Sequence, residues 1–258
     1  MNVIKVTLPK ALKQIELYTV ADLHIGDKLS NKEKTAELLK TIADNESAYC
    51  ILNGDLMNNA TKSSVSDSYA EELSPMDQIQ QCIDMLNPIK DKILAINQGN
   101  HEYRTYRTEG VDITKIVAMQ LGLGDKYSAT SSLIFLRFGN VKTKHPNDQV
   151  LYTIFCLHGS GGGRKEGAKA IRLADMASII DADIYIHSHT HLPMIMKQSY
   201  HRTSLSNSSV SKVNRLFVNT SAMLEYGGYG EKYEFKPNST DTPVIYLNGR
   251  KKEMRATL

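Results

Sequence analysis

Apolar runs of strand length recur along this chain, and each breaks off into a polar cluster: Glu16 to Ala21, Tyr49 to Leu52, Lys92 to Asn97, Leu133 to Phe138, Val150 to Leu157, Asp183 to Ile186, Leu216 to Val218 and Val244 to Leu247. Runs this short, rich in β-branched and aromatic residues, predict strands. Between the early ones lie stretches of helical period, Lys32 to Ala43, Pro75 to Leu86, Ile113 to Leu121 and Ala168 to Ile180. The second is announced by Ser74 at the N-cap, Pro75 at the first helical position and Asp77 two residues later. Strands alternating with helices, followed by strands joined through tight loops, predict an α/β layered fold with a mixed sheet or paired sheets. Polar, Ser-rich or Gly/Pro/Asn-rich stretches near 58–68, 197–212 and 227–241 predict loop excursions from a single domain spanning 1–258.

The chain has 258 residues, enough to bury roughly 70 to 75% of its surface without staples. Its net charge of +3 is too small to imply nucleic acid or an anionic membrane by itself, and 7% aromatic residues with no Trp argue against an aromatic base-stacking module. Cys50, Cys82 and Cys156 sit singly in apolar runs and predict reduced core thiols. No window reaches the 18 or so apolar residues of a membrane span, and the amino terminus carries no signal-peptide core, so the expectation is a soluble cytoplasmic protein without a membrane partner.

The chemistry is marked by position. His24, His101, His158, His187, His189 and His191, six of eight histidines, fall at or just past the carboxyl end of a predicted strand, where α/β sheets place their sites. Around them stand Asp22-Leu23-His24, Gly54-Asp55, Gly99-Asn100-His101-Glu102, His158-Gly159 and His189-Thr190-His191. In extended backbone, residues i and i+2 share a side, so Asp22 with His24, and His189 with His191, would each present two ligands together. Singly such doublets are common structural patterns; their conjunction at successive strand ends points to a metal site.

In this order the five segments resemble the calcineurin-like metallophosphoesterase family, whose pattern is DxH, GD, GNH[DE], H and GHxH. The resemblance runs from Asp22 to His191. It implies a four-layer α/β/β/α sandwich of two mixed β-sheets flanked by helices. It also implies two divalent metal ions, one on Asp22, His24, Asp55 and His191, the other on Asp55, Asn100, His158 and His189, with Asp55 shared. Imidazole and carboxylate donors suit Mn first, with Fe, Zn, Co or Ni as alternatives. Two dications against two carboxylates leave a positive centre that attracts phosphate. The implied reaction is in-line attack on phosphorus by a metal-bridging hydroxide, with His101 at the departing oxygen.

Three positions depart from the family or bear on its branches. Ser188 replaces the usual Gly before His189, and is tolerated unless that position needs positive φ. Asn58 stands where protein phosphatases of the superfamily place an Asp, and no Asp-Arg-Gly follows; an amide there can still orient His101. Glu102 completes a spelling that those phosphatases share. Asn58, Arg104, Arg107, Arg164 and Lys165 are candidate substrate contacts, the last two from the Gly-rich loop after His158, an anion nest or a surface loop. Tyr103, Arg104 and Arg107, just after His101, either grip a substrate's nonscissile phosphate or base or cover the sheet edge. Basic clusters at Arg137, Lys142 and Lys144, and at Arg250, Lys251, Lys252 and Arg255, are either solvated faces or contacts for a nucleic acid or nucleotide. Together these favour a phosphodiesterase or nuclease over a phosphomonoesterase or protein phosphatase. A nonenzymatic scaffold or nucleic-acid-binding protein on the same fold is the further alternative.

Overall fold

The computed structural model describes residues 1–62, 64, 68–69, 71–139 and 149–258. In chain order the elements are β1 (Asn2–Leu8), β2 (Gln14–Val20), α1 (Lys32–Asp44), β3 (Ala48–Asn53), α2 (Pro75–Leu86), β4 (Ile93–Asn97), α3 (Asn100–Glu109), α4 (Ile113–Gln120), β5 (Tyr127–Ser128) and β6 (Ser131–Phe138). They continue with β7 (Leu151–Leu157), α5 (Glu166–Ile179), β8 (Ile184–His187), β9 (Met194–Ser204), β10 (Ser209–Asn219), α6 (Gly228–Lys232), β11 (Val244–Asn248) and β12 (Met254–Thr257). The strands form two six-stranded mixed sheets, β1-β6-β7-β8-β10-β9 and β12-β11-β2-β3-β4-β5.

Period-two alternation sorts the strand side chains into three separate cores. Ile15 and Leu17 of β2, Ile51 of β3, Ile154 and Cys156 of β7, and Ile184 and Ile186 of β8 meet between the two sheets. From the other face of the second sheet, Tyr18, Val20, Cys50 and Leu52 pack on Leu39, Ile79, Cys82 and Val117 of α1, α2 and α4. From the other face of the first sheet, Phe155, Tyr185 and Phe217 pack on Leu173 and Met176 of α5. Three cores between four layers are the α/β/β/α arrangement. The three cysteines are buried and free.

Local signals are realised at α2, where the Ser74 hydroxyl accepts from the Asp77 N–H at 3.2 Å, a cap that contributes about 1 kcal/mol. The excursion near 197–212 is not a loop. Strands β9 and β10 pair antiparallel from Met194↔Asn219 to Ser204↔Ser209, a two-stranded ribbon that runs past the core. Polar residues on both of its faces hide the alternation that burial would impose, while the backbone ladder and Thr203, Val210 and Val213 still favour strand. The segment 227–241 contains the short helix α6. Positions 63 and 65–67 of the excursion near 58–68 lie outside the described residues, as do Lys142 and Lys144. Among the described residues no helix is long and apolar enough to cross a membrane.

Strands β2, β3 and β4 run parallel in one sheet, and β7, β8 and β10 in the other. Their carboxyl ends lie at one edge of the sandwich, and the candidate ligands follow those ends.

Candidate metal centre

Three groups of side chains converge there, with ligand atoms lying within 4.8 Å of one another in each: Asp22, His24 and His191; His24, Asp55 and His101; and Asp55, His158 and His189. Asp55 belongs to two of them. His189 and His191 therefore serve different groups instead of presenting side by side. The reason is backbone: the segments past the strands are not extended. Asp22, His24, Asp55, His189 and His191 all adopt left-handed conformations, with φ of 52, 48, 50, 65 and 55°. Non-Gly residues held there carry strain of order 1–3 kcal/mol each, and such residues cluster at sites whose surroundings over-determine them. Ser188 is not among the positive-φ residues; its hydroxyl accepts from Asn53 Nδ2 at 2.7 Å.

Three of the histidines are aimed by a bond to the outer nitrogen. His24 Nδ1–H donates to Asn58 Oδ1 (3.2 Å), His158 Nδ1–H to the Asn53 carbonyl (2.8 Å) and His101 Nδ1–H to the Asn58 carbonyl (2.8 Å). The Nε2 atoms of these three then face inward, the support that metal-binding imidazoles require. Asn58 thus acts from behind the centre. Its backbone, not its amide, orients His101, and its side chain spans His24 and Glu71.

The donor set fits cations. His158 Nε2 lies 3.0 Å from Asn100 Oδ1 and 3.1 Å from Asp55 Oδ2, two acceptors that need a proton or a cation between themselves and the ring. Asp22 Oδ1 and His24 Nε2 are buried without a hydrogen-bond partner, although His191 Nε2 stands 3.2 Å from that carboxylate oxygen. Orphaned buried polar atoms are costly unless a ligand satisfies them. Electrostatics agree: burial opposes ionisation of Asp55, but His158 and His101 beside it hold its carboxyl well below the carboxylate range. Burial, joined by His101, keeps His24 neutral, and burial with His158 lowers His189 to about 4. Against burial, Asp55 pushes His158 up to about 10.

Glu102 organises this centre without entering it. Fully buried in the first turn of α3, its carboxylate accepts from the Gly99, Asp55 and Met57 N–H groups at 3.0, 3.1 and 3.0 Å. It thereby ties β3 to β4, while burial, then the Asp55 charge, raises it to about 7. Asn59, also left-handed, adds a bond from Nδ2 to the His101 carbonyl at 2.7 Å. In Thr220 and Asn53 the polar lining extends further, Thr220 Oγ1 reaching Asp22 Oδ2 at 3.4 Å. The GNHE spelling marks Glu102; nothing in the sequence marks Asn53, Asn59 or Thr220.

The candidate substrate contacts are placed unequally. Arg104 donates from Nη2 to His101 Nε2 at 3.0 Å. Arg107 is exposed on the same helix. Arg164 stacks over the Phe235 ring, 5.3 Å from its centroid, and Lys165 is the exposed residue before α5. The Gly-rich loop is tied back by Arg172, which donates to the Ser160 carbonyl at 3.0 Å. Arg137 and the cluster near the carboxyl end lie at the opposite end of the sandwich from the centre. Arg137 pairs with Leu151 at the start of β7, whereas the centre follows Leu157 at its far end, about 20 Å away at roughly 3.3 Å per residue. Lys252 bonds Asp183 at the start of β8 (2.8 Å), Lys251 pairs with Glu253 (2.9 Å), and Arg255 covers Tyr246.

A family model described as calcineurin-like phosphoesterase matches residues 17–193. Among solved structures, a predicted phosphoesterase from Streptococcus pneumoniae is 14% identical, with 96% of this chain and 99% of that one covered and a TM-score of 0.39. Nuclease MPE from Pseudomonas putida is 12% identical over 93% of this chain and 87% of its own, with a TM-score of 0.35. Vps29 from Entamoeba histolytica, complexed with Zn2+, is 10% identical over 94% and 97%, with a TM-score of 0.40. No curated protein matches the chain.

Proposed function

Because the chain belongs to the calcineurin-like phosphoesterase family, we propose that it hydrolyses a phosphate ester using two divalent cations, Mn foremost, and that a phosphodiester is its preferred substrate. The observation that carries this reading is Asp55, the carboxylate common to two ligand groups. One cation would sit among Asp22, His24, Asp55 and His191, the other among Asp55, Asn100, His158 and His189. Bound there, the pair supplies Lewis-acid charge to phosphate oxygens and activates water.

The chain's own residues supply the rest. Asp22 and Asp55 are the carboxylate ligands, and Asn100 donates an amide oxygen without adding negative charge, so the centre keeps a surplus for an anionic ester. His101 and Arg104 stand together at the position assigned to the departing oxygen: while the imidazole is neutral its Nε2 accepts from Arg104 and the guanidinium supplies the N–H groups there, and His101 becomes a donor only when Nε2 is protonated. Neither the Asp nor the Arg-Gly of the protein-phosphatase branch follows Asp55, which supports a singly charged diester over a phosphoprotein.

The test is a substrate panel. Protein loaded with Mn2+ is expected to turn over a bis-aryl phosphodiester faster than an aryl monophosphate, with single-stranded DNA as the third substrate. Two bound metals and no turnover on any of them would reject the enzymatic reading. His101→Ala is expected to keep metal content near normal while slowing esters with poor leaving groups by roughly 10²-fold or more, and activated aryl esters much less. Equal loss across a leaving-group series would remove His101 from that role.

A further inference from the structure

Helix α3 presents two faces at the centre. His101 and Arg104, one turn apart, bond each other on one face. On the other, Asn100 and Tyr103, again one turn apart, line an open groove of ≈ 520 Å³ that begins at His158 and is completed by Leu157, Thr130 and Ser131 among others. That volume falls within the roughly 300–1,000 Å³ of small-molecule sites. Tyr103 is 45% exposed, and its ring stands 5.8 Å from that of Tyr106, tilted by 32°.

Charge discriminates between occupants. Among the described residues the groove wall carries no Asp, Glu, Lys or Arg side chain; single cations stand at two of its edges, the Met1 amino group donating to Thr130 Oγ1 at 3.2 Å and Arg172 to the Ser160 carbonyl at 3.0 Å. A polynucleotide would bring a phosphate with every nucleotide and needs a track of cations. Arg137 and the Arg250 to Arg255 cluster cannot form that track, because they lie at the opposite end of the sandwich. What the groove offers instead is one aromatic face, an aliphatic side chain and hydroxyls, beside two proposed metal ligands.

We propose that this groove takes the ring-bearing arm of the ester, a single nucleoside whose base stacks on Tyr103, so that the substrate is a small nucleotide diester and not a polynucleotide. The inference rests on the phosphoesterase reading for where the phosphate lies; the ring site stands on the groove.

Equilibrium binding tests it without turnover. In Mn2+, thymidine 5′-phosphorothioate is expected to bind at least about tenfold more tightly than deoxyribose 5-phosphorothioate, the order of gain from stacking one base on one aromatic ring. Tyr103→Ala should bring that ratio to within about twofold, and Tyr103→Phe should preserve it. Equal affinities in the wild type, or an unchanged ratio in Tyr103→Ala, would overturn the proposal. So would a decathymidylate bearing the same terminal group that binds more than about tenfold more tightly than the mononucleotide, an outcome that assigns the surface to a nucleic-acid chain. If the substrate panel shows no turnover while the tenfold preference persists, the catalytic reading fails and the ring site stands.

Discussion

Asp55→Asn is expected to strip the protein of at least one of two bound cations and to lower turnover by on the order of 10³-fold or more, beyond the 10–100-fold that loss of a supporting residue costs a metal site. The substitution is nearly isosteric and keeps an acceptor for the His101 N–H, which Asp55 Oδ1 now receives at 2.8 Å, so the fold should survive. What disappears is the charge on the residue common to two ligand groups. Metal analysis of the purified variant, beside its thermal unfolding curve, separates the two effects. Wild-type metal content with a wild-type rate would overturn the shared-ligand assignment; a lowered melting temperature with full metal content would mean that Asp55 is structural.

Much of this centre was legible because its chemistry is written in residue types that a strand end has no packing reason to hold. Asp22, His24, Asp55, Asn100, His158, His189 and His191 all follow apolar runs, and the runs themselves locate β2, β3, β4, β7 and β8. Less visible was what bends the chain to bring them together. Left-handed conformations at five of these residues leave no pattern in a sequence, since Asp and His can adopt them without a glycine to announce it. Helix α3 was hidden for a different reason: its buried residue is a glutamate, so no apolar stripe betrays it, although Gly99, Glu102 and Gly110 stand at its start, first turn and end. β1 is an edge strand with only Ile4 and Leu8 fully buried, a weaker alternation than the inner strands show. Composition alone could not place Arg137 or the cluster near the carboxyl end, because a count of lysines and arginines carries no information about which end of a sheet they occupy.

Gly99→Ala is expected to be the most damaging methyl group that can be added near the centre. A Cβ at this position would stand 2.1 Å from the Asp55 backbone nitrogen and 2.2 Å from its Oδ1, and 2.7 Å from the Glu102 carboxylate. None of these is the free end of a flexible side chain. The Asp55 N–H and the Gly99 N–H are both held by Glu102, so relieving the clash means separating β3 from the start of α3 and dismantling the clamp that positions Asp55, Asn100 and His101. Overpacking of this kind costs about 3 kcal/mol or more when the backbone cannot give way. In a chain of this size that corresponds to a melting temperature lowered by about 6–12 °C. Metal binding should fall with it, because the displaced residues are proposed ligands of both cations. Gly162→Ala is the control: it adds a methyl to another glycine of the same chain with nothing within 4 Å, and its stability should stay within about 0.5 kcal/mol of wild type. Were Gly99→Ala to melt with the control and keep its metal, the close approach of the two sheet-end loops would not be what holds the ligands in place.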